Sequence, residues 1–304
     1  MAVAAAESTV VHRLECVSLT TGNCAQLAVF YEHAFGFRRL AAQRHSGPEF
    51  ERLMGVTGGA DSILLGLGDQ RLELLQFERR GRPYPHGCAS SDVLFQHFAI
   101  VVSDMQRAMQ RLSQLAGWSA ITSGGPQRLP DRSGGVTAFK FRDQEGHPLE
   151  LLAFPVTAIP PAWRAPPALE PCLGIDHSAI CVADTARSIA FYETLGLKVS
   201  ARSLNTGVEQ QRLDGVHQPR LEVTALIPLQ PTPHVELLCY QSINTRNTPA
   251  AYSNDIEATR LVLEAAAPPG PDNATRVQRR LIDPDGHQLL ISSRTIAPDQ
   301  GTAA

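Results

Sequence analysis

IDHSAICVADTARSIAFYETLGL, residues 175–197, reads as a strand, a helix and a turn in succession. His177 opens an apolar run that suits a strand. Seven residues later Asp184 stands where a helix N-cap belongs, since its carboxylate can accept from the first free backbone N–H groups. The segment after it repeats its apolar residues at helical spacing and closes near Gly196, where a left-handed C-cap fits. Working outward, NCAQLAVFYEHAFGF (23–37) has the same build, with Asn23 as N-cap and one extra residue before Gly36. FQHFAIVVSD (95–104) repeats the strand, with His97 at its start and Asp104 seven residues on.

These likenesses are internal repeats, and they organise the whole chain. Strands are expected at 15–21 and 176–182, upstream of the two similar helices. A polar segment follows each helix, and then a strand pair that finishes in LELLQF (72–77) or VELLCY (235–240). A related unit covers 93–154, with a helix at 104–116, then VTAFKF and RDQEGHPLELLAF. Another covers 248–293, with a helix expected at 255–266, then RRL and IDPDGHQLLIS. The turns DQEGH and DPDGH are hairpin signals whose glycine can adopt positive φ. The order is therefore four β-α-β-β-β units, with boundaries at 10–78, 92–155, 173–241 and 247–294. The Pro-rich stretch 156–172 is read as a linker, and it divides the chain near residue 165.

A chain of 304 residues with 43% apolar and 19% charged content is globular and long enough for about two domains. The net charge of −3 excludes a broad nucleic-acid or membrane footprint, which needs clustered positive charge. Arg79, Arg80 and Arg82 form a small basic group in a loop. The six cysteines show no CxxC and no framework. The start, MAVAAAESTVV, lacks the positive region of a signal peptide. No apolar run approaches the ~20 residues that span a bilayer. The expectation is a soluble cytoplasmic protein, a monomer or homodimer, with no nucleic-acid or membrane partner.

Two strand pairs carry matching ligands: His97 with Glu150 in GHPLELLAF, and His177 with Glu236 in PHVELLCY. Imidazole and carboxylate together suit a divalent metal of mixed N and O preference. Alternation along the strands puts His97 and Ala99 on one face and Phe98 and Ile100 on the other. Glu150 lies between Leu149 and Leu151, and Glu236 between Val235 and Leu237. Each carboxylate thus faces away from its packed neighbours, and a buried unpaired carboxylate calls for a cation.

With four such units in order, the chain resembles the vicinal oxygen chelate superfamily over residues 10–293. That superfamily includes glyoxalase I, methylmalonyl-CoA epimerase, extradiol dioxygenases and bleomycin-resistance proteins. The resemblance implies an α+β fold in which four β-α-β-β-β modules pair into two half-barrel-type clefts. It also implies metal ligands from the first and last strands of two paired modules. Aligned on helix starts, the first-strand position holds Cys16, His97, His177 and Thr248. The last-strand position holds Glu73, Glu150, Glu236 and Leu290. If neighbours in each half pair, one cleft offers Cys16, Glu73, His97 and Glu150. If modules two and three pair across the linker, one cleft gathers His97, Glu150, His177 and Glu236. The second arrangement is favoured because it collects every intact ligand.

Other residues have plainer readings. His147 and His287 follow the hairpin glycines and are expected to stabilise turns. His234 shares a strand face with Glu236, where support or exposure is expected. Cys16 reads as a packed thiol, and Glu73 as a relic of the ligand pattern or a structural group. Glu209, Gln211 and Arg212 in VEQQRL are candidates for substrate binding, against the alternative of a polar strand face.

Three functions remain open. The first is a glyoxalase-like lyase or isomerase, in which nickel, cobalt, zinc, manganese or iron chelates adjacent substrate oxygens and Glu150 or Glu236 moves the proton. The second is an Fe(II)-dependent ring-cleaving dioxygenase built on a 2-His-1-carboxylate set. The third is a metal-free protein that binds a small molecule.

Overall fold

A computed structural model of the chain describes residues 10–164, 170–241, 251–266 and 276–294. Module one comprises β1 (Val11–Thr20), α1 (Cys24–Phe35), β2 (Arg38–His45), α2 (Pro48–Met54), β3 (Ala60–Leu67) and β4 (Gln70–Phe77). Module two comprises β5 (Gln96–Val102), α3 (Met105–Ser113), β6 (Ser119–Ala120), β7 (Gln127–Arg128), β8 (Thr137–Arg142) and β9 (Pro148–Ala153). Module three comprises β10 (Cys172–Cys181), α4 (Thr185–Thr194), β11 (Lys198–Thr206), α5 (Val208–Asp214), β12 (Arg220–Ile227) and β13 (His234–Tyr240). Module four contributes β14 (Thr259–Ala266), β15 (Arg276–Ile282) and β16 (Gln288–Arg294).

The α+β class and the modular, two-cleft architecture hold. Helices start where capping chemistry places them: Asn23, Asp104 and Asp184 each accept from the backbone N–H three residues on. Gly36 closes α1 at φ 77°, a left-handed cap that glycine adopts without strain.

The modules pair across the chain rather than along it. β5 and β10 run antiparallel and join modules two and three in one sheet. β1 and β14 do the same for modules one and four in the other sheet. Neighbours in sequence instead share a core on the back of the sheets. Leu19, Leu27 and Phe35 of module one pack with Phe98, Phe141 and Leu151 of module two. Ile180, Tyr192 and Leu237 of module three pack with Leu261, Leu289 and Ile291 of module four.

The hairpin histidines secure these same seams. His147 donates from Nδ1 to Asp143 Oδ2 at 2.8 Å and from Nε2 to Thr20 O of module one at 2.9 Å. His287 donates from Nε2 to Cys181 O of module three at 2.8 Å. Both turns thereby staple one module to the end of its neighbour's first strand.

Two expectations need correction. Residues 255–266 do not form a helix; 259–266 are strand β14, paired with β1 on one side and β16 on the other. The stretch ATRLVLEAA is rich in helix formers, but a strand buried on both faces has the same apolar density, and pairing overrides propensity. The first-strand position of module four therefore moves. In each module it lies two residues before the first-strand partner of the last-strand position: Ser18 pairs with Glu73, Ala99 with Glu150, Ala179 with Glu236 and Val262 with Leu290. Module four's residue is thus Arg260, not Thr248, which lies outside the described residues. Among the described residues module four has no helix.

The second correction concerns VEQQRL, which forms helix α5 and not a strand face. The Pro-rich linker is also partly structured. Short 3-10 turns cover Val156–Ala158 and Pro161–Trp163, and Trp163 is buried. Pro166 and Pro167 lie outside the described residues. Among the described residues no helix is long and apolar enough to cross a membrane.

Candidate metal centre

The antiparallel register of β5 and β10 sets His97 opposite Ala179 and His177 opposite Ala99. The two histidines therefore stand on one face, offset across the seam, with small alanines leaving room between them. The parallel partners β9 and β13 bring Glu150 beside Ala99 and Glu236 beside Ala179. Phe98, Ile100, Leu149 and Leu151 face the shared core on the other side.

The four side chains meet. His97 Nε2 donates to Glu150 Oε2 at 3.0 Å. His177 Nε2 lies 3.6 Å from the same oxygen and 3.5 Å from Glu236 Oε2. Candidate ligand atoms of His97, Glu150 and His177 all lie within 4.8 Å of one another. A cavity of about 610 Å³ opens above them, walled by Leu129, Val136, Leu152, Phe154, Leu221 and Val223.

Sequence reasoning missed Asp176. It accepts from His177 Nδ1 at 3.0 Å and from Trp163 Nε1 at 2.7 Å, and His234 Nδ1 lies 4.0 Å away. Strict alternation would send adjacent residues 176 and 177 to opposite faces. A register shift between Ile175 and His177 puts both on the cavity side, and no sequence signal marks that bulge. Asp176 fixes His177 with Nδ1 protonated and Nε2 pointing between two carboxylates. His234 also reaches the cavity, its Nε2 3.6 Å from Glu236 Oε1.

Lys140 was missed as well. It sits directly across from Glu150 in the β8–β9 ladder and lines the cavity. Its Nζ donates to Asp214 Oδ1 at 2.7 Å, while Asp214 Oδ2 accepts from Tyr240 Oη and Gln210 Nε2. This buried network ties the end of α5 to module two. Glu209, Gln211 and Arg212 do not line the cavity. On the helix their place is taken by Gln210 and Leu213.

The electrostatics follow from burial opposed by neighbours. Burial, helped by the Lys140 charge, holds His97 below the ordinary imidazole range despite Glu150. Burial would also strip His177 of its proton, but Glu236, Asp176 and Glu150 together raise it well above that range. Burial disfavours the Glu150 carboxylate, yet the close approach of His177, the bond from His97 and the charge of Lys140 keep it well below the usual value. Glu236 is lowered too, with His177 and His234 overcoming its burial.

Among the four candidate ligands, two buried atoms lack a hydrogen-bond partner: His177 Nε2 and His97 Nδ1. Such orphans are rare in proteins and want an explanation. For His177 a divalent cation supplies one, because Nε2 is a free lone-pair donor once deprotonated and two carboxylate oxygens flank it. Two imidazoles and two carboxylates form a mixed N/O donor set that suits such an ion.

The comparisons with known proteins agree with this architecture. The family model of the Glyoxalase/Bleomycin resistance protein/Dioxygenase superfamily matches residues 13–151 and 174–291. Among solved structures, glyoxalase I from Zea mays superposes with a TM-score of 0.59 at 17% identity, over 92% of this chain and 92% of that one. A putative dioxygenase from Bacillus subtilis gives 0.53 at 9% identity, over 95% of this chain and 87% of that one. Identities this low speak for the fold alone. No curated protein matches the sequence. The two matched segments span most of the chain, and the protein belongs to the Glyoxalase/Bleomycin resistance protein/Dioxygenase superfamily.

Proposed function

We propose that the cleft between modules two and three is the active site of a divalent-metal-dependent lyase or isomerase of glyoxalase type, held by His97, Glu150, His177 and Glu236. The observation that carries this reading is the second carboxylate. Glu236 Oε2 comes as close to His177 Nε2 as Glu150 does, at 3.5 Å against 3.6 Å. A bound divalent cation would polarise adjacent substrate oxygens and stabilise the negative charge that grows on them when a neighbouring carbon loses its proton.

The protein's own residues divide the remaining work. Glu150 is anchored by two histidines and shielded by Lys140, so it is a fixed ligand. The Glu236 side chain is 22% exposed against 8% for Glu150, and faces the cavity with room to move. Glu236 is therefore the residue that takes the proton and returns it one carbon away. Asp176 holds the His177 ring in orientation. The apolar wall limits water around the reacting carbon, and Gln210 offers an amide beside it.

A second reading is an Fe(II)-dependent ring-cleaving dioxygenase. The tight group His97, Glu150 and His177, with Glu236 outside it, is a 2-His-1-carboxylate set and favours this alternative. A small-molecule substrate fits either chemistry, given the cavity volume. The deciding experiment loads the protein with each candidate metal. Turnover of the methylglyoxal–glutathione hemithioacetal is then followed beside oxygen uptake with catechols. Isomerisation without oxygen uptake supports the first reading, and oxygen consumption overturns it. A protein with no stoichiometric metal overturns both in favour of a metal-free binding protein.

A further inference from the structure

The cleft between modules one and four uses the same four positions with different chemistry. Cys16, Glu73, Arg260 and Leu290 stand where the first cleft has its two histidines and two glutamates. Arg260 is 0% exposed. It donates to Ser18 Oγ at 3.2 and 3.3 Å, to Thr20 Oγ1 at 2.9 Å and to Ser253 O at 2.9 Å. Ser18 in turn donates to Glu73 Oε2 at 2.6 Å. A guanidinium built into the floor thus reaches the carboxylate through one hydroxyl. It offsets the charge of Glu73 as a metal would in the first cleft. At the four equivalent positions an added cation would meet this fixed charge and find only one thiol and one carboxylate.

A cavity of about 500 Å³ lies over that floor. Among the described residues Ser18 is the only hydrogen-bond donor to Glu73, so its second oxygen is available to a guest. Arg71 stands two residues earlier on the same face of β4, roughly 7 Å away along the strand. Its guanidinium bonds to Gln70 O, and no carboxylate among the described residues lies within ion-pair distance. Phe50, stacked on Phe77 at 6.0 Å and on His45 at 5.5 Å, forms an aromatic wall. Met54, Leu75, Val262 and Leu290 extend the apolar lining.

We propose that this cleft is a second, metal-independent binding site for an apolar hydroxy acid. The hydroxyl donates to Glu73, the carboxylate meets Arg71, and the ring or branched body lies against Phe50 and Leu290. Arg260 is the permanent counter-ion that makes the site independent of metal. The inference does not rest on the reading of the first cleft.

Calorimetric titration of the full chain, stripped of metal with a chelator, tests it with 4-hydroxybenzoate as probe. One equivalent binds, and benzoate, which lacks the hydroxyl, binds about 10-fold more weakly. Arg71→Ala and Glu73→Ala each weaken binding by about 10-fold or more, and His97→Ala leaves it unchanged. Absence of binding overturns the proposal. So does binding that requires metal, or that is lost in His97→Ala and indifferent to Arg71→Ala. Metal analysis adds a second readout, because a divalent ion retained stoichiometrically by a His97→Ala, His177→Ala double variant would also overturn it.

Discussion

His177 and Glu150 belong to different modules, on β10 and β9, yet Nε2 of one lies 3.6 Å from Oε2 of the other. The contact exists because β5 and β10 join antiparallel at the centre of one sheet. Each of the other two candidate ligands lies against this pair, His97 bonded to Glu150 and Glu236 Oε2 3.5 Å from His177 Nε2. The proposed centre is therefore a property of the pairing, and half of it would be lost if the modules separated.

Asp176 orients His177, so Asp176→Ala is expected to weaken divalent-metal affinity by roughly 10–100-fold without unfolding the protein. Competition against a chromogenic chelator measures the affinity, and the far-ultraviolet circular dichroism spectrum checks the fold. An unchanged affinity would remove Asp176 from the site.

Glu236→Gln keeps a neutral oxygen in place and removes the proposed base. The metal content is expected to persist while kcat falls by about 10²–10⁴-fold. Glu150→Gln, which alters an anchored ligand, loses metal first. Equal metal loss in both variants would contradict the division of roles.

How much of this was legible follows from individual residues. The helix caps, the hairpin turns and the strand-borne His/Glu pairs are local patterns, and each recurs at least twice along the chain. Arg260 was hidden because ATRLVLEAA has the composition of a helix and becomes a strand only between β1 and β16. Asp176 was hidden by a bulge, since alternation assigns it to the wrong face. Lys140 became visible only with the β8–β9 register, which sets it opposite Glu150. Each miss is a matter of register, which tertiary pairing decides.

Lys140 and Asp214 form a buried pair, with side chains 4% and 0% exposed. Lys140→Met strands the Asp214 carboxylate and is expected to destabilise the protein by about 3–5 kcal/mol. Adding Asp214→Leu restores part of that loss. Urea unfolding of Lys140→Met, Asp214→Leu and the double variant measures it, and strictly additive losses would contradict a coupled pair.

The His147–Asp143 staple has a defined pH window. His147 is buried, which lowers its pKa, but Asp143 overcomes this and raises it above 6.5. Its contribution is therefore complete below pH 6.5 and lost as pH rises through the raised value. Asp143 is also buried, yet His147 holds it below 3.8, so its contribution is complete above pH 3.8 and lost as pH falls through the lowered value. Stability of the wild type relative to His147→Gln should be greatest between these limits and decline on both sides. A difference that stays constant with pH would contradict the ion pair.

The central claim is that modules two and three together hold one metal. An anomalous-difference map from crystals of the metal-loaded protein tests it most directly. The account predicts one strong peak per chain, bounded by His97, Glu150, His177 and Glu236, and none in the cleft of Glu73 and Arg260. A map with no peak between His97 and His177, or with its peak in the other cleft, would contradict it.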